Sequence, residues 1–145
     1  MIENLNGIHE TVKYKENSNV KLFINAEAED YPIHWHTPME IIMPLEGGYT
    51  VQIGDDLVHL NESDIIFIAS GVKHRLIAPD TGKRLILQIE WSAVSKIKEL
   101  NSILTLIAPA ITLTPETSGD IHSNIRKLPV SYTHLRAHET SAHLV

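Results

Sequence analysis

Most of the chain up to residue 92 consists of short segments in which hydrophobic and polar residues alternate. Tyr49 to Ile53 and Arg84 to Trp91 alternate in this way, which is typical of strands with one buried face. Ile65 to Ile68 is a continuous apolar run, which indicates a buried strand. Turn residues such as Gly54 to Asp56 and Pro79 to Gly82 separate the segments.

Many short strands at near-regular spacing predict an antiparallel sandwich or barrel. An arm or a first short strand is expected around Thr11 to Tyr14. The other predicted strands are Val20 to Asn25, a broken strand from His34 to Leu45, Leu57 to Leu60, and His74 to Ala78.

At Ser92 the hydrophobic spacing changes from a strand period to a helical period. This pattern predicts a helix with Ser92 as its N-cap and Pro109 at its end. A short extended piece follows at Ile111 and Leu113, and a second helix starts between Pro115 and Asp120. The chain therefore divides into a barrel at 1–92, an incomplete helical region at 93–129 and a tail at 130–145. The first helix carries an apolar stripe of Val94, Ile97, Leu100, Leu104 and Ile107, and the second carries Ile121, Ile125 and Leu128.

Length, charge and composition limit what this chain does by itself. Its 145 residues suffice for one domain with a hydrophobic core. A net charge of −6 and a pI near 5.8 argue against a DNA-binding face, because phosphate binding needs clustered Lys and Arg. The absence of cysteine excludes disulfides and thiolate metal ligands. The chain shows neither a signal peptide nor a membrane-spanning apolar run, so we expect a cytoplasmic protein without membrane contact.

The strongest chemical signal comes from two histidines one residue apart, His34 and His36. On a strand they share one face about 6.6 Å apart, so both imidazoles can reach one ion or small ligand. Glu40 has the same parity, although Pro38 interrupts strict strand geometry, and His74 lies downstream. Three histidines and a carboxylate suit zinc, iron, manganese or nickel. Two plainer interpretations stay open, in which His34 and His36 are partly exposed strand residues and His74 is a structural histidine.

The first of these segments resembles the first sequence motif of the cupin superfamily. His34, His36, Glu40 and Gly47 stand at the spacing of that motif, and Ala28 replaces its leading glycine. The resemblance implies an all-β cupin fold. This is an antiparallel jelly-roll β-barrel followed by one or two α-helices.

The segment around His74 resembles the second cupin motif in eroded form. Gly71 and His74 are retained, while Ser63, Ala69 and Ala78 stand where the motif has glycine, proline and asparagine. All positions that bind the ion in metal-containing cupins are therefore filled. By this resemblance the divalent metal ligands are His34, His36, Glu40 and His74.

Several strings carry a second resemblance: Val20 to Phe23, His34 to His36, Met39 to Ile42, Leu45 to Gly47, Gly54-Asp55, Ser63 to Ile68 and Leu87 to Ile89. Together they are similar, over about Glu10 to Leu128, to the N-terminal sensor domain of AraC-type transcription regulators. In such regulators a cupin barrel binds a small effector, often a sugar or related metabolite, and helices after the barrel mediate dimerisation.

This second resemblance implies an effector-sensing domain rather than an enzyme. It implies a homodimer formed through the helical region at 93–129. DNA would be bound only through a C-terminal helix-turn-helix domain that is absent from this chain. Trp35 and Tyr49 are candidates for a flat apolar face against the effector, although Trp35 has the wrong strand parity. The effector-binding residues implied are the same set, His34, His36, Glu40 and His74.

Two alternatives remain beside the sensor interpretation. One is a stand-alone metal-binding cupin enzyme, such as an isomerase or a dioxygenase, which the ligand set favours. The other is a stand-alone binding cupin without catalytic activity or a DNA-binding partner. The eroded second motif and the strings shared with regulators favour the sensor.

The tail from Val130 has neither helical nor strand periodicity. Its residues Val130 to Thr140 match a transposase end sequence and a sequencing adapter translated in one frame. We therefore expect the native reading frame to depart from this sequence near Pro129 and to continue past Leu128. On this interpretation the tail histidines are not ligands; they are His134, His138 and His143.

Overall fold

A computed structural model describes residues 4–96 and 109–127 of the chain. Within these ranges the chain forms eleven strands and two helices. The strands are β1 (Leu5–Asn6), β2 (His9–Glu10), β3 (Val20–Asn25), β4 (Tyr31–His34), β5 (Met39–Glu46), β6 (Tyr49–Ile53), β7 (Asp56–Leu60), β8 (Ile65–Ile68), β9 (His74–Ile77), β10 (Lys83–Ile89) and β11 (Ala110–Leu113). The helices are α1 (Trp91–Ser95) and α2 (Pro115–Arg126).

Two antiparallel sheets form the body of the protein. The larger sheet has the strand order β11-β8-β5-β10-β3, and the smaller has the order β4-β9-β6-β7. A separate hairpin, β1-β2, forms an N-terminal arm. This architecture confirms the predicted antiparallel jelly-roll β-barrel followed by helices.

An inner hydrophobic core lies between the two sheets. Side chains alternate across each strand, so every second residue of a strand points into the barrel. On β5 the inward positions are Glu40 and Ile42, and on β10 they include Ile86 and Gln88. The buried apolar members of this core are Ile42, Tyr49, Val51, Leu60, Ile66, Ile68, Leu76 and Ile86.

A second, outer core covers the other face of the larger sheet. Val94 of α1 is buried in it, and Ile125 of α2 packs against it. Because β5 and β8 are covered on both faces, their sequences are almost continuously apolar rather than alternating. The buried members of the outer core are Met39, Ile41, Met43, Ile65, Leu85, Leu87 and Val94.

Three local predictions differ from the structure. Thr11 to Tyr14 does not form a strand, and the arm pairs earlier, at β1 and β2. Trp91 belongs to α1 rather than to β10. The N-cap of α1 is Glu90 and not Ser92, and it makes no side-chain capping bond. The N-cap therefore lies two residues before Ser92, the residue whose side chain is a favoured N-cap.

The second predicted helix and the extended piece before it are both present. β11 pairs with β8 at the edge of the larger sheet. α2 begins with Pro115 directly after Thr114, whose side chain takes part in a capping box with Thr117. Proline at the first position and a threonine cap are the usual signals for a helix start.

Several sequence predictions, including the position of Leu128 in the second helical stripe, lie outside the described residues. Another is the continuation of the first helical stripe after residue 96, which includes Ile97, Leu100, Leu104 and Ile107. The origin proposed for the tail at 130–145 also concerns residues outside the described part of the chain. Of the helices in the described part of the chain, none has the length and hydropathy needed to cross a bilayer.

Gly82 is the glycine at which a side chain is least compatible with the fold. Its φ is +122°, and a Cβ atom there would overlap the carbonyl oxygen of Glu46 on the neighbouring strand. We expect Gly82→Ala to lower the free energy of unfolding by about 2–3 kcal/mol. Gly54→Ala is the control, because Gly54 also has a positive φ, +59°, but has open space around it. It should cost only about 1 kcal/mol, and equal losses in urea denaturation would contradict the steric argument.

Candidate metal and effector site

The break between β4 and β5 shapes the candidate site. β4 ends at His34, and β5 begins at Met39, so His36 lies in the connection rather than on a strand. The strand-parity argument therefore applies to His34 alone. The turn nevertheless brings the two imidazoles together, with ring centroids 5.7 Å apart.

His74 joins these two histidines from β9, which pairs with β4 in the smaller sheet. His34 and His74 are direct partners in that pairing, and their ring centroids are 4.3 Å apart. All three histidines are at most 2% exposed. One ring nitrogen from each of the three lies within 4.8 Å of those of the other two. The structure thus assembles three predicted site residues into one buried cluster.

Backbone carbonyl groups determine which nitrogen each histidine presents. Nδ1 of His34 donates to the carbonyl of Pro32 at 2.8 Å, and Nδ1 of His74 donates to that of Val72 at 2.8 Å. Nδ1 of His36 donates to the carbonyl of Pro38 at 2.9 Å. Since a carbonyl only accepts hydrogen bonds, Nδ1 must carry the proton in each ring. Nε2 is therefore the nitrogen that each histidine offers to the cluster, as in histidines that bind metals.

Glu40 lies beside these three histidines and is 2% exposed. Its Oε2 accepts a hydrogen bond from Gln88 Nε2 at 2.8 Å and contacts His36 Nε2 at 2.9 Å. Burial alone would raise the pKa of Glu40, but His36 and the nearby His74 hold that pKa well below its ordinary value. Burial would likewise lower the pKa of His36, but the hydrogen bond and charge of Glu40 raise that pKa overall. The contact between His36 Nε2 and the Glu40 carboxylate is therefore favourable when Nε2 binds a cation, either a proton or a metal ion.

His34 behaves differently from His36. Burial, reinforced by the neighbouring His74, lowers the pKa of His34 to about 4. This imidazole is therefore neutral near pH 7, and its Nε2 carries a lone pair. A neutral imidazole nitrogen is the form that binds metal ions.

The donor set fits a divalent first-row metal ion. His74 Nε2 and Glu40 Oε1 are buried without a hydrogen-bond partner, and they lie 3.6 Å apart. Unpaired buried polar atoms are costly, so this pair of acceptors fits a bound cation. Nitrogen ligands lie about 2.0–2.1 Å from zinc, so two ligand atoms of one ion are at most about 4.2 Å apart. The observed spacing of the three nitrogens requires only small side-chain movements to meet this limit.

A cavity of about 390 Å³ opens beside this cluster, inside the end of the barrel. Of the four predicted effector-binding residues, His34 and Glu40 line it, whereas His36 and His74 are not among its lining residues. Trp35 and Tyr49 do not line it either, and Phe23 and Tyr31 supply its aromatic rings. The lining residues that were not predicted from the sequence include Glu10, Lys21, Phe23, Asn25, Tyr31 and Gln88.

Strand parity contains a signal for three of those residues. Phe23 and Asn25 alternate with the outward-facing residues of β3, and Gln88 alternates with those of β10. A polar residue at an inward position, such as Gln88, marks a polar site inside a barrel. Glu10 has no such local signal, because only the folding of the arm brings it to the cavity.

The N-terminal arm is attached to the chain between the two site histidines. Trp35 N donates to the carbonyl of Ile8 at 2.8 Å, and Glu10 N donates to the carbonyl of Trp35 at 2.9 Å. The ring of His9 stacks on Trp35 with centroids 4.2 Å apart. These contacts place the arm over the cavity, with Glu10 Oε2 at 3.7 Å from His34 Nε2.

Comparison with protein families identifies the domain that carries this site. The Cupin_2 model, described as a cupin domain, matches residues 22–89. The matched segment covers nearly all of both sheets apart from β11. A cupin domain is therefore present, and the protein has the predicted cupin fold.

One curated relative is named as a transcription regulator. The chain is 34% identical over 55 residues to the uncharacterized HTH-type transcriptional regulator YdeC of Bacillus subtilis strain 168. The match covers 37% of this chain and 19% of YdeC, so it spans about a fifth of that relative's length.

Solved structures are similar to this chain at low sequence identity. The apo structure of ToxT K231A from Vibrio cholerae has a TM-score of 0.59 and 9% identity, and the match covers 82% of this chain and 49% of ToxT. A cupin-2 domain protein from Shewanella frigidimarina has a TM-score of 0.47 and 19% identity, covering 52% of this chain and 76% of that protein. The cupin fold includes both enzymes and non-enzymes, so function must be argued from the site.

Proposed function

We propose that this chain is the effector-sensing cupin domain of an AraC-type transcription regulator. It binds a small hydroxyl-rich metabolite, such as a sugar, inside the barrel. It reaches DNA only through a C-terminal domain outside this chain. The similarity to YdeC and the strings shared with AraC-type sensor domains support this class of protein.

The observation that carries the proposal is the polar cavity beneath the N-terminal arm. Carboxylate, amide, phenol and imidazole groups line it, and together they supply both donors and acceptors for hydroxyl groups. Phe23 and Tyr31 add aromatic surface. A volume of about 390 Å³ falls within the range of small-molecule sites.

The arm provides a route from effector binding to a change in the regulator. Asn4, Glu10 and Thr11 of the arm line the same cavity as the barrel residues. An effector that contacts both would favour the closed arrangement of the arm by its differential affinity for that state. The helices that cover the outer core belong to the region assigned to dimerisation, so the proposal includes a homodimer whose geometry the effector biases.

A second candidate function is a metal-binding cupin, either an isomerase or a dioxygenase-like enzyme. The three Nε2 atoms that the backbone carbonyls orient toward one another favour a metal ion in this protein. Such an ion would be held by His34, His36, His74 and Glu40, and would supply a Lewis acid or an oxygen-activating centre. Glu40 would keep its orientation through Gln88.

The effector proposal predicts a specific role for the Tyr31 hydroxyl. Asn25 Nδ2 donates to this oxygen at 3.0 Å, so the phenol proton is directed away from Asn25. We expect Tyr31→Phe to weaken binding by about five- to tenfold, which corresponds to one net hydrogen bond. The measurement is a thermal-shift screen of pentoses, hexoses and sugar acids in the presence of EDTA, followed by calorimetry on any compound that binds.

Tyr49→Phe is the matched control, because Tyr49 is buried between the sheets and does not line this cavity. Its affinity for the same compound should equal that of the unmodified chain. A screen without any stabilising compound would count against the sugar class, and equal affinities for both variants would count against this cavity.

A further inference from the structure

We propose that Glu10, on the N-terminal arm, is a ligand of a divalent first-row metal ion held by His34, His36 and His74. Metal binding would then fasten the arm to the barrel. This inference rests on the metal-binding capacity of the histidine cluster and is independent of the sugar-effector proposal. It adds to the cluster a carboxylate from a part of the chain that the cupin motifs do not include.

The arm holds Glu10 at the cluster through backbone contacts. The backbone hydrogen bonds that Ile8 and Glu10 form with Trp35 hold Glu10 against this segment of the barrel. Trp35 itself lies between His34 and His36 in the chain, so the arm pairs with the very segment that carries two of the ligands. The Glu10 side chain is consequently about 9% exposed, although it belongs to a two-stranded arm.

The contact between Glu10 and His34 lacks a proton donor. Because Nδ1 of His34 donates to the carbonyl of Pro32, its Nε2 carries a lone pair toward Glu10 Oε2. The separation of 3.7 Å is too long for a hydrogen bond. On the other side of the cluster, His74 Nε2 faces Glu40 Oε1 at 3.6 Å. Two such facing pairs of acceptors are repulsive when empty and become favourable when a cation lies between them.

The charge of the cluster points to a divalent ion. Metal-bound imidazoles are neutral, so Glu10 and Glu40 together contribute two negative charges. Lys21 lines the same cavity, but its side chain is partly exposed, so solvent weakens its interaction with these two charges. A divalent ion therefore compensates the two carboxylates inside the barrel.

The test compares metal affinity among carboxyl variants of the arm. The 145-residue chain, made without an affinity tag and stripped with EDTA, is titrated with ZnCl₂ and separately with MnCl₂ by calorimetry. We expect Glu10→Gln to weaken the affinity by about tenfold or more, because it removes a ligand but preserves the shape of the side chain. Glu16→Gln is the control, since Glu16 is an exposed carboxylate of the same N-terminal segment, and it should bind like the unmodified chain.

A second measurement tests the attachment of the arm. Lys13 and Lys15 follow Glu10, so trypsin cleavage at these lysines reports how often the arm segment opens. Metal should slow this cleavage in the unmodified chain and in Glu16→Gln, but not in Glu10→Gln. Circular dichroism establishes that each variant is folded before either measurement.

Three outcomes would overturn the inference. They are an unmodified chain that binds neither ion, a Glu10→Gln variant with unchanged affinity, and metal protection that persists in that variant. Because the effector screen is run in EDTA, a failure of that screen leaves the metal titration interpretable, and the reverse also holds.

Discussion

Replacing Arg84 with alanine is expected to lower the free energy of unfolding by about 3–5 kcal/mol. Arg84 is 2% exposed and lies inside the barrel on β10. Its Nε donates to the carbonyl of Asn25 at 3.1 Å, and its Nη2 donates to the carbonyl of Glu27 at 2.8 Å. The guanidinium also lies 4.5 Å from the centre of the Tyr49 ring. The alanine variant loses these hydrogen bonds and the cation–π contact, and leaves a cavity in the inner core.

Arg75→Ala is the matched control for this prediction. The Arg75 side chain is 42% exposed and pairs with Asp30, at 3.2 Å, on the surface. Exposed ion pairs contribute at most about 1 kcal/mol, so this variant should unfold nearly like the unmodified chain. Urea denaturation followed by circular dichroism measures both variants. A loss below about 1 kcal/mol for Arg84→Ala would show that its buried contacts contribute little net stability.

Replacing His74 with alanine is expected to reduce affinity for a divalent first-row metal by at least about 100-fold. His74 Nε2 is buried and has no hydrogen-bond partner within the described structure, and Nδ1 is held by the carbonyl of Val72. The imidazole is therefore oriented for an ion before the ion arrives. Calorimetric titration of the EDTA-treated chain with ZnCl₂ gives the comparison.

His59→Ala controls for the general loss of an imidazole. His59 lies on β7, and its Nδ1 contacts Thr50 Oγ1 at 3.1 Å, away from the cluster. Its removal should leave the cluster's affinity unchanged. Equal affinities for His74→Ala and the unmodified chain would place the bound ion elsewhere and would disprove the assignment of this cluster.

Arg84 and the histidine cluster have separate roles in the barrel. Arg84 donates hydrogen bonds to the end of β3 and to the following loop, which form one wall of the cavity. His34 and His74 of the histidine cluster lie on the opposite sheet. A stability change in Arg84→Ala without a change in metal affinity would be consistent with this division.

The arrangement of strands followed largely from local patterns in the sequence. Alternation at Tyr49 to Ile53 and the apolar run at Ile65 to Ile68 predicted strands that the structure contains, because side-chain period and burial are linked within a few residues. The motif spacing at His34 to Gly47 indicated the correct fold. Thr114 and Pro115 are likewise adjacent in sequence and together mark the start of α2. Boundaries such as that between β10 and α1 were less accurate, because strand and helix signals overlap at Glu90 to Ser92.

The composition of the site depended on contacts between residues distant in sequence. Gln88 reaches Glu40 across the pairing of β10 with β5, and Glu10 reaches His34 only because the arm pairs with Trp35. Strand parity marks Gln88 as inward-facing, but the partner in each of these contacts depends on which segments meet after folding. Residue type and spacing thus predicted the histidines and Glu40, whereas the packing of the arm and sheets added Glu10 and Gln88 to their surroundings.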